Sequence, residues 1–121
     1  VTLQDSKNKT HNSQLIIEYG DALKAELAAI EALEPAQRGL ERIKAVTLQD
    51  AERAGKLDGR NAAVRDRQAQ EVLIASQAVQ AAERVLADAE HAKALAHIEV
   101  KVIEAQISLT RAWLYSQSGV R

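Results

Sequence analysis

The chain has no cysteine, no methionine and no phenylalanine, and only one proline, one tryptophan and two tyrosines among 121 residues. Each absence excludes something. Without cysteine there is no disulfide, no thiolate metal site and no cysteine nucleophile. With 2% aromatic residues, the core lacks the rings that usually supply much of the buried area. It must be built from Ala, Leu, Ile and Val, which suit close helix–helix packing better than a rounded fold with a thick centre. No apolar run approaches the roughly 20 residues of a membrane-spanning helix, so no membrane partner is expected. Val1 to Ser13 is polar, and no signal-peptide core is expected there. No segment joins strict alternation to β-branched residues and turn signals, so no strand is expected.

What is present is 46% hydrophobic and 27% charged, an ordinary balance, in a length that fits one small domain. The net charge of −1 is unevenly spread. Residues 1–37 carry three Lys/Arg and six Asp/Glu, residues 38–67 carry eight and five, and residues 68–121 carry five and six. The positive bias therefore centres on the stretch KLDGRNAAVR at 56–65. The pentapeptide VTLQD occurs at 1–5 and again at 46–50, but the residues after each copy differ, so it marks no repeat unit.

Residues 1–12 are expected to form a polar arm. A first helix, about 13–55, should start at Asn12 or Ser13, both good caps, with Ile16, Tyr19, Leu23, Leu27, Ile30 and Leu33 on one face. Pro35 must either kink this helix or break it. Leu40, Ile43, Val46, Ala51 and Ala54 carry the pattern onward, and Gly55 is placed to end the helix in a left-handed conformation. A turn at 56–60 follows, with Asn61 capping a second helix. From 61 to about 116 there is no Pro and no Gly, so one unbroken helix is expected, roughly 84 Å long at 1.5 Å per residue.

In that second helix, Val72, Ala75, Val79, Ala82, Leu86, Ala89, Ala96, Val100, Ile103 and Ile107 step alternately by three and four, skipping only Lys93. This is the heptad spacing of a coiled coil. A second stripe runs beside it through Ile74, Val85, Leu95, Ile98, Val102, Leu109 and Trp113. Two stripes need more than one partner helix. The fold expected is thus all-α: a long antiparallel helical hairpin, coiled-coil-like, that assembles with other copies into a helical bundle. Val72, Val79, Leu86, Val100, Ile103 and Ile107 are expected to form the seam between copies. Trp113, Leu114 and Tyr115 should project past the first helix, where only the 1–12 arm or a protein partner could cover them.

Chemistry is sparse. His91 and His97 lie six apart, on different faces of one helix, and no second Glu-x-x-His supports a metal site. There is no Gly-rich phosphate loop, no nucleophile elbow and no isolated acid pair. Glu41, Glu83 and Glu90 have basic residues within helical reach and suit surface ion pairs. No catalytic residue, metal or cofactor is expected. The basic turn is a candidate anion-binding site through Arg60, Asn61, Arg65 and Arg67, at the amino end of a helix. Nucleic acid or nucleotide is the alternative partner it suggests. Against this, no aromatic residue is at hand to stack a base, and the isoelectric point near 6.3 is low for a nucleic-acid binder.

The run KLDGRNAAVRDRQAQ at 56–70 resembles small Ala-rich helical-hairpin proteins encoded by phages and prophages, mostly of unknown function. In those, a long helix ends in a Leu-x-Gly-Lys-Asn-type turn, with Arg four residues after the Asn. Leu57, Gly59, Arg60, Asn61 and Arg65 match in type, and the continuation AVQAAERVLADAE is similar. Acidic residues usually follow the Asn in that pattern, whereas Ala63 and Val64 stand here. The resemblance covers about ten residues. It implies an accessory or virion protein, in the bacterial cytoplasm or the virion, and carries over no catalytic residue.

Overall fold

The computed structural model describes residues 3–118. Three helices account for nearly all of them: α1, Leu3–Arg53; α2, Ala62–Ala75; and α3, Gln77–Ser118. No strand occurs among the described residues. The chain is an all-α helical hairpin in which α1 packs against α3. It divides into two compact units. The first joins residues 1–30 with 92–121, and the second is Glu31–His91.

In the first unit, Ala22, Val100 and Ile103 form the buried cluster, with Tyr19 and Ile107 packed against it. The register is antiparallel. The Tyr19 hydroxyl donates to Glu104 Oε1 at 3.1 Å, and His97 Nδ1 lies 2.8 Å from Glu26 Oε2. In the second unit the cluster is Leu40, Val79 and Ala82, flanked by Ile43, Leu73 and Leu86. Both clusters set small against large: Ala22 faces Val100 and Ile103, and Ala82 meets Leu40. This alternation lets the helices approach closely without voids.

Three expectations change, and the alternative left open at Pro35 is narrowed to an unbroken helix. First, α1 begins at Leu3, so residues 3–12 of the expected polar arm are helical, and its first two residues lie outside those described. At Pro35, α1 runs on without a break. Pro35 and Glu31 are both exposed, so water can take the carbonyl that Pro35 leaves without a donor.

Second, the inward face of α1 keeps Tyr19 and Leu33 of the expected set but otherwise lies one residue away from it. Leu15, Tyr19, Ala22, Glu26, Ala29 and Leu33 turn inward, while Ile16, Leu23, Leu27 and Ile30 are exposed. The physical reason is volume. Val100, Ile103 and Ile107 already fill the α3 side, and a second row of Leu and Ile opposite them would force the helices apart.

Third, the second helix is not continuous. It breaks at Ser76, whose backbone is extended at φ −75° and ψ 119°. Ser76 Oγ accepts from Val79 N at 3.2 Å and so caps α3. Serine competes with the helix in this way wherever its hydroxyl can reach a free amide.

Candidate functional site

The turn from Ala54 to Asn61 is built by two caps and a clamp. Gly55 has φ 74°. Its N–H donates to Glu52 O at 3.0 Å, and that of Lys56 donates to Ala51 O at 2.9 Å. These paired bonds close the carboxyl end of α1 and need the left-handed residue between them. Asn61 Oδ1 accepts from Val64 N at 2.9 Å, as expected of a cap. Gln68 is the part the sequence did not reveal. Its Oε1 accepts from Gly59 N at 2.9 Å while its Nε2 donates to Asp58 Oδ1 at 3.0 Å. A Cβ at Gly59 would come within 2.6 Å of Val64 Cγ1, so glycine is required there by space. No local sequence signal links Gln68 to residues nine and ten positions earlier.

Around this turn Arg53, Lys56, Arg60, Arg65 and Arg67 are all exposed. The ion pairs found among the described residues lie elsewhere, at Arg38–Glu34, His97–Glu26 and Lys101–Glu104. Of the candidate anion-binding set, Asn61 has its side-chain oxygen committed to Val64, and the three arginines are exposed. Beside the turn an open cleft of about 870 Å³ lies between α1 and α2, lined by Thr47, Asp50, Ala51, Lys56, Glu71 and Val72 among others. Its charged groups are exposed, and Thr47 Oγ1 is already bound to Ile43 O at 2.7 Å.

The six residues expected between copies belong mostly to the chain's own seam. Val79, Val100 and Ile103 are buried, and Leu86 and Ile107 are half-buried against them. Val72 is half-buried and lines the cleft, while Leu73 takes the place at the Leu40–Val79–Ala82 cluster. The break at Ser76 accounts for that one-residue shift. Five of these six side chains pack within the chain itself, where α3 meets α1.

The surface that remains free is the second stripe. Among the residues whose burial is described, eleven of the fifteen large apolar ones with substantial exposure belong to the first unit. On α1 they are Ile16, Ile17, Leu23, Leu27 and Ile30. On α3 they are Leu95, Ile98, Val102, Leu109, Trp113 and Tyr115, ranging from 41% exposed at Trp113 to 71% at Leu109. The expected contact trio splits: Trp113 and Tyr115 face outward, while Leu114 is half-buried, in step with Val100, Ile103 and Ile107. Trp113 does not stand clear of α1. With Leu109, Thr110, Ala112 and His11 of α1 it lines a shallow cleft of about 630 Å³. Tyr19 faces Glu104, a register that with the start of α1 at Leu3 keeps the end of α3 alongside α1.

No family model, curated protein or solved structure matches this chain. The site must therefore be judged on its own chemistry. Among the described residues no three His, Asp or Glu side chains gather as a metal site would require, and no buried side chain is polar. His97, exposed, pairs across the helices with the largely covered carboxylate of Glu26. Tyr19 has its phenol pKa raised above 10.0, first by the hydrogen bond to Glu104 and then by desolvation. No helix is long and apolar enough to cross a membrane among the described residues.

Proposed function

We propose that this protein is a non-enzymatic, self-associating helical protein whose outer stripes in the first unit bind further copies of the chain. The observation that carries the proposal is the concentration of exposed Ile, Leu, Val and Trp in that unit. At roughly 80–100 Å² for each of the eleven side chains, the two stripes amount to about 1,000 Å², against about 800 Å² per partner in a stable interface and a few hundred Å² of apolar patch on an ordinary monomer. Ile16, Leu23 and Ile30 recur every seven residues, as do Leu95, Val102 and Leu109. That period matches another helix in the same supercoil, and a second hairpin supplies one. A net charge of −1 offers little repulsion between copies.

Light scattering on a size-exclusion column tests this. The expected mass is a defined multiple of 13.2 kDa, falling to the single-chain value in Leu23→Glu/Leu27→Glu and in Leu95→Glu/Leu109→Glu with helicity retained. A wild-type chain that stays at one copy into the hundred-micromolar range refutes the proposal. Absorbance at 260 nm on the same column tests a second reading, nucleic-acid or nucleotide binding, which the five exposed cations of the turn favour. Co-eluting nucleic acid that leaves in high salt, and is lost in Arg60→Ala/Arg65→Ala/Arg67→Ala, would support it. A role as a phage accessory or virion component rests on the resemblance at Leu57–Arg65.

A further inference from the structure

The joint between α2 and α3 is a single residue, Ser76. No proline or glycine is near it, so backbone chemistry does not impose the break. Side chains hold it instead. Ser76 Oγ accepts from Val79 N at 3.2 Å, and Gln80 Nε2 donates to Ile74 O at 2.8 Å. The Ser76 N–H still reaches Leu73 O, at a long 3.3 Å. α2 has no fully buried residue, and the 870 Å³ cleft separates its Gln68, Glu71, Val72 and Ala75 from α1. The packing that restrains it is that of Leu73 against the Leu40–Val79–Ala82 cluster.

The sequence is also in step for the other arrangement. Val72, Ala75, Val79 and Ala82 follow the heptad spacing straight through the joint. Turning ψ of Ser76 into the helical range would give the Gln77 and Ala78 amides, the first two of α3, the carbonyls of Leu73 and Ile74 as acceptors. It would also carry Val72 and Ala75 into line with Val79. Three backbone bonds, from the Gln77, Ala78 and Val79 amides, would replace the two side-chain bonds, so hydrogen bonding favours the straight form while the packing of Leu73 against Leu40, Val79 and Ala82 favours the break.

We infer that Ser76 is a two-state joint. The capped break seen here exchanges with a continuous α2–α3 helix, and the cleft beside α2 changes size as the joint straightens. All the groups involved lie in the second unit, so the inference stands independently of self-association through the first.

Two variants pull in opposite directions. Ser76→Ala/Gln80→Ala removes both side-chain bonds and puts the best helix former at the joint, which should shift the balance toward the straight form by about tenfold. Gln77→Pro locks the break. Proline suits the first helical position, holds the residue before it extended as Ser76 already is, and lacks the N–H that the straight helix needs. The readouts are NMR measurements on the full chain: the Cα carbon shift at position 76 and the exchange rate of the Ala78 amide. The double variant should show a helical shift at 76 and about tenfold slower exchange at Ala78 than wild type. Gln77→Pro should show an extended shift, fast exchange and an undiminished melting temperature. If the double variant keeps the extended shift and an unprotected Ala78, or simply unfolds, there is no straight form to receive it and the inference fails. A large loss of stability in Gln77→Pro overturns it too, because the break would then not be the ground state.

Discussion

Ile103 and Leu109 lie six residues apart on α3 and should respond to the same substitution in opposite ways. Ile103 is 4% exposed and packs with Ala22, Val100, Tyr19 and Ile107. Ile103→Ala removes most of a buried side chain, and the void cannot close easily because Ala22 opposite has nothing longer to move into it. Large-to-small changes of this kind cost about 2–5 kcal/mol. Taking about 3 kcal/mol, and about 4 °C per kcal/mol for a chain of this length, the melting temperature should fall by roughly 12 °C. Leu109 is 71% exposed, and within one chain its loss should cost about 0.5 kcal/mol or less. Thermal melts by circular dichroism at several protein concentrations separate two effects. A loss from folding is the same at every concentration, whereas a loss from association grows with it. Leu109→Ala should show only the second, with a reduced mass in sedimentation. If Ile103→Ala melted within about 2 °C of wild type while Leu109→Ala fell by 10 °C or more at every concentration, inside and outside would be reversed and the packing described here would be wrong.

The turn yields further expectations. Gly59→Ala should destabilise by about 1–3 kcal/mol in urea titration, since its Cβ meets Val64; an unchanged midpoint would show that Val64 moves aside freely. Gln68→Ala should cost about 1–2 kcal/mol by removing two hydrogen bonds, and should speed exchange of the Gly59 amide. Gly55→Ala should cost about 1 kcal/mol because φ there is 74°; no change would mean the left-handed cap is not maintained in solution. Tyr19 carries a pH signature. Its raised pKa means the folded chain holds the phenol proton more tightly than the unfolded one. The stabilisation is full below the ordinary value of 10.0 and fades as pH climbs through the higher folded value. Tyr19→Phe should remove the late phase of the tyrosinate absorbance titration, and Glu104→Gln should bring that phase earlier.

The sequence by itself determined the helical class, the hairpin, both caps of the main turn and the spacing of the α3 seam. Those features are local. Asn61 and Gly55 act on amides and carbonyls three to five residues away, and heptad spacing is a property of one strand of chain. Direction was not local. On the first helix the larger Leu and Ile side chains marked a face, and only packing α1 against α3 decided that Ala22 turns inward and Leu23 outward, because the total volume at the seam must fit the space between two helices. The same holds for Gln68, whose partners lie nine and ten residues back across a turn. At Ser76 the sequence permits both a helix and a cap, and the tertiary structure shows the cap. Val79, Val100 and Ile103 were recognised as a seam from their spacing, but spacing cannot say whose helix lies opposite. In this fold the helix opposite is the chain's own first helix, which the turn at 54–61 brings back alongside α3.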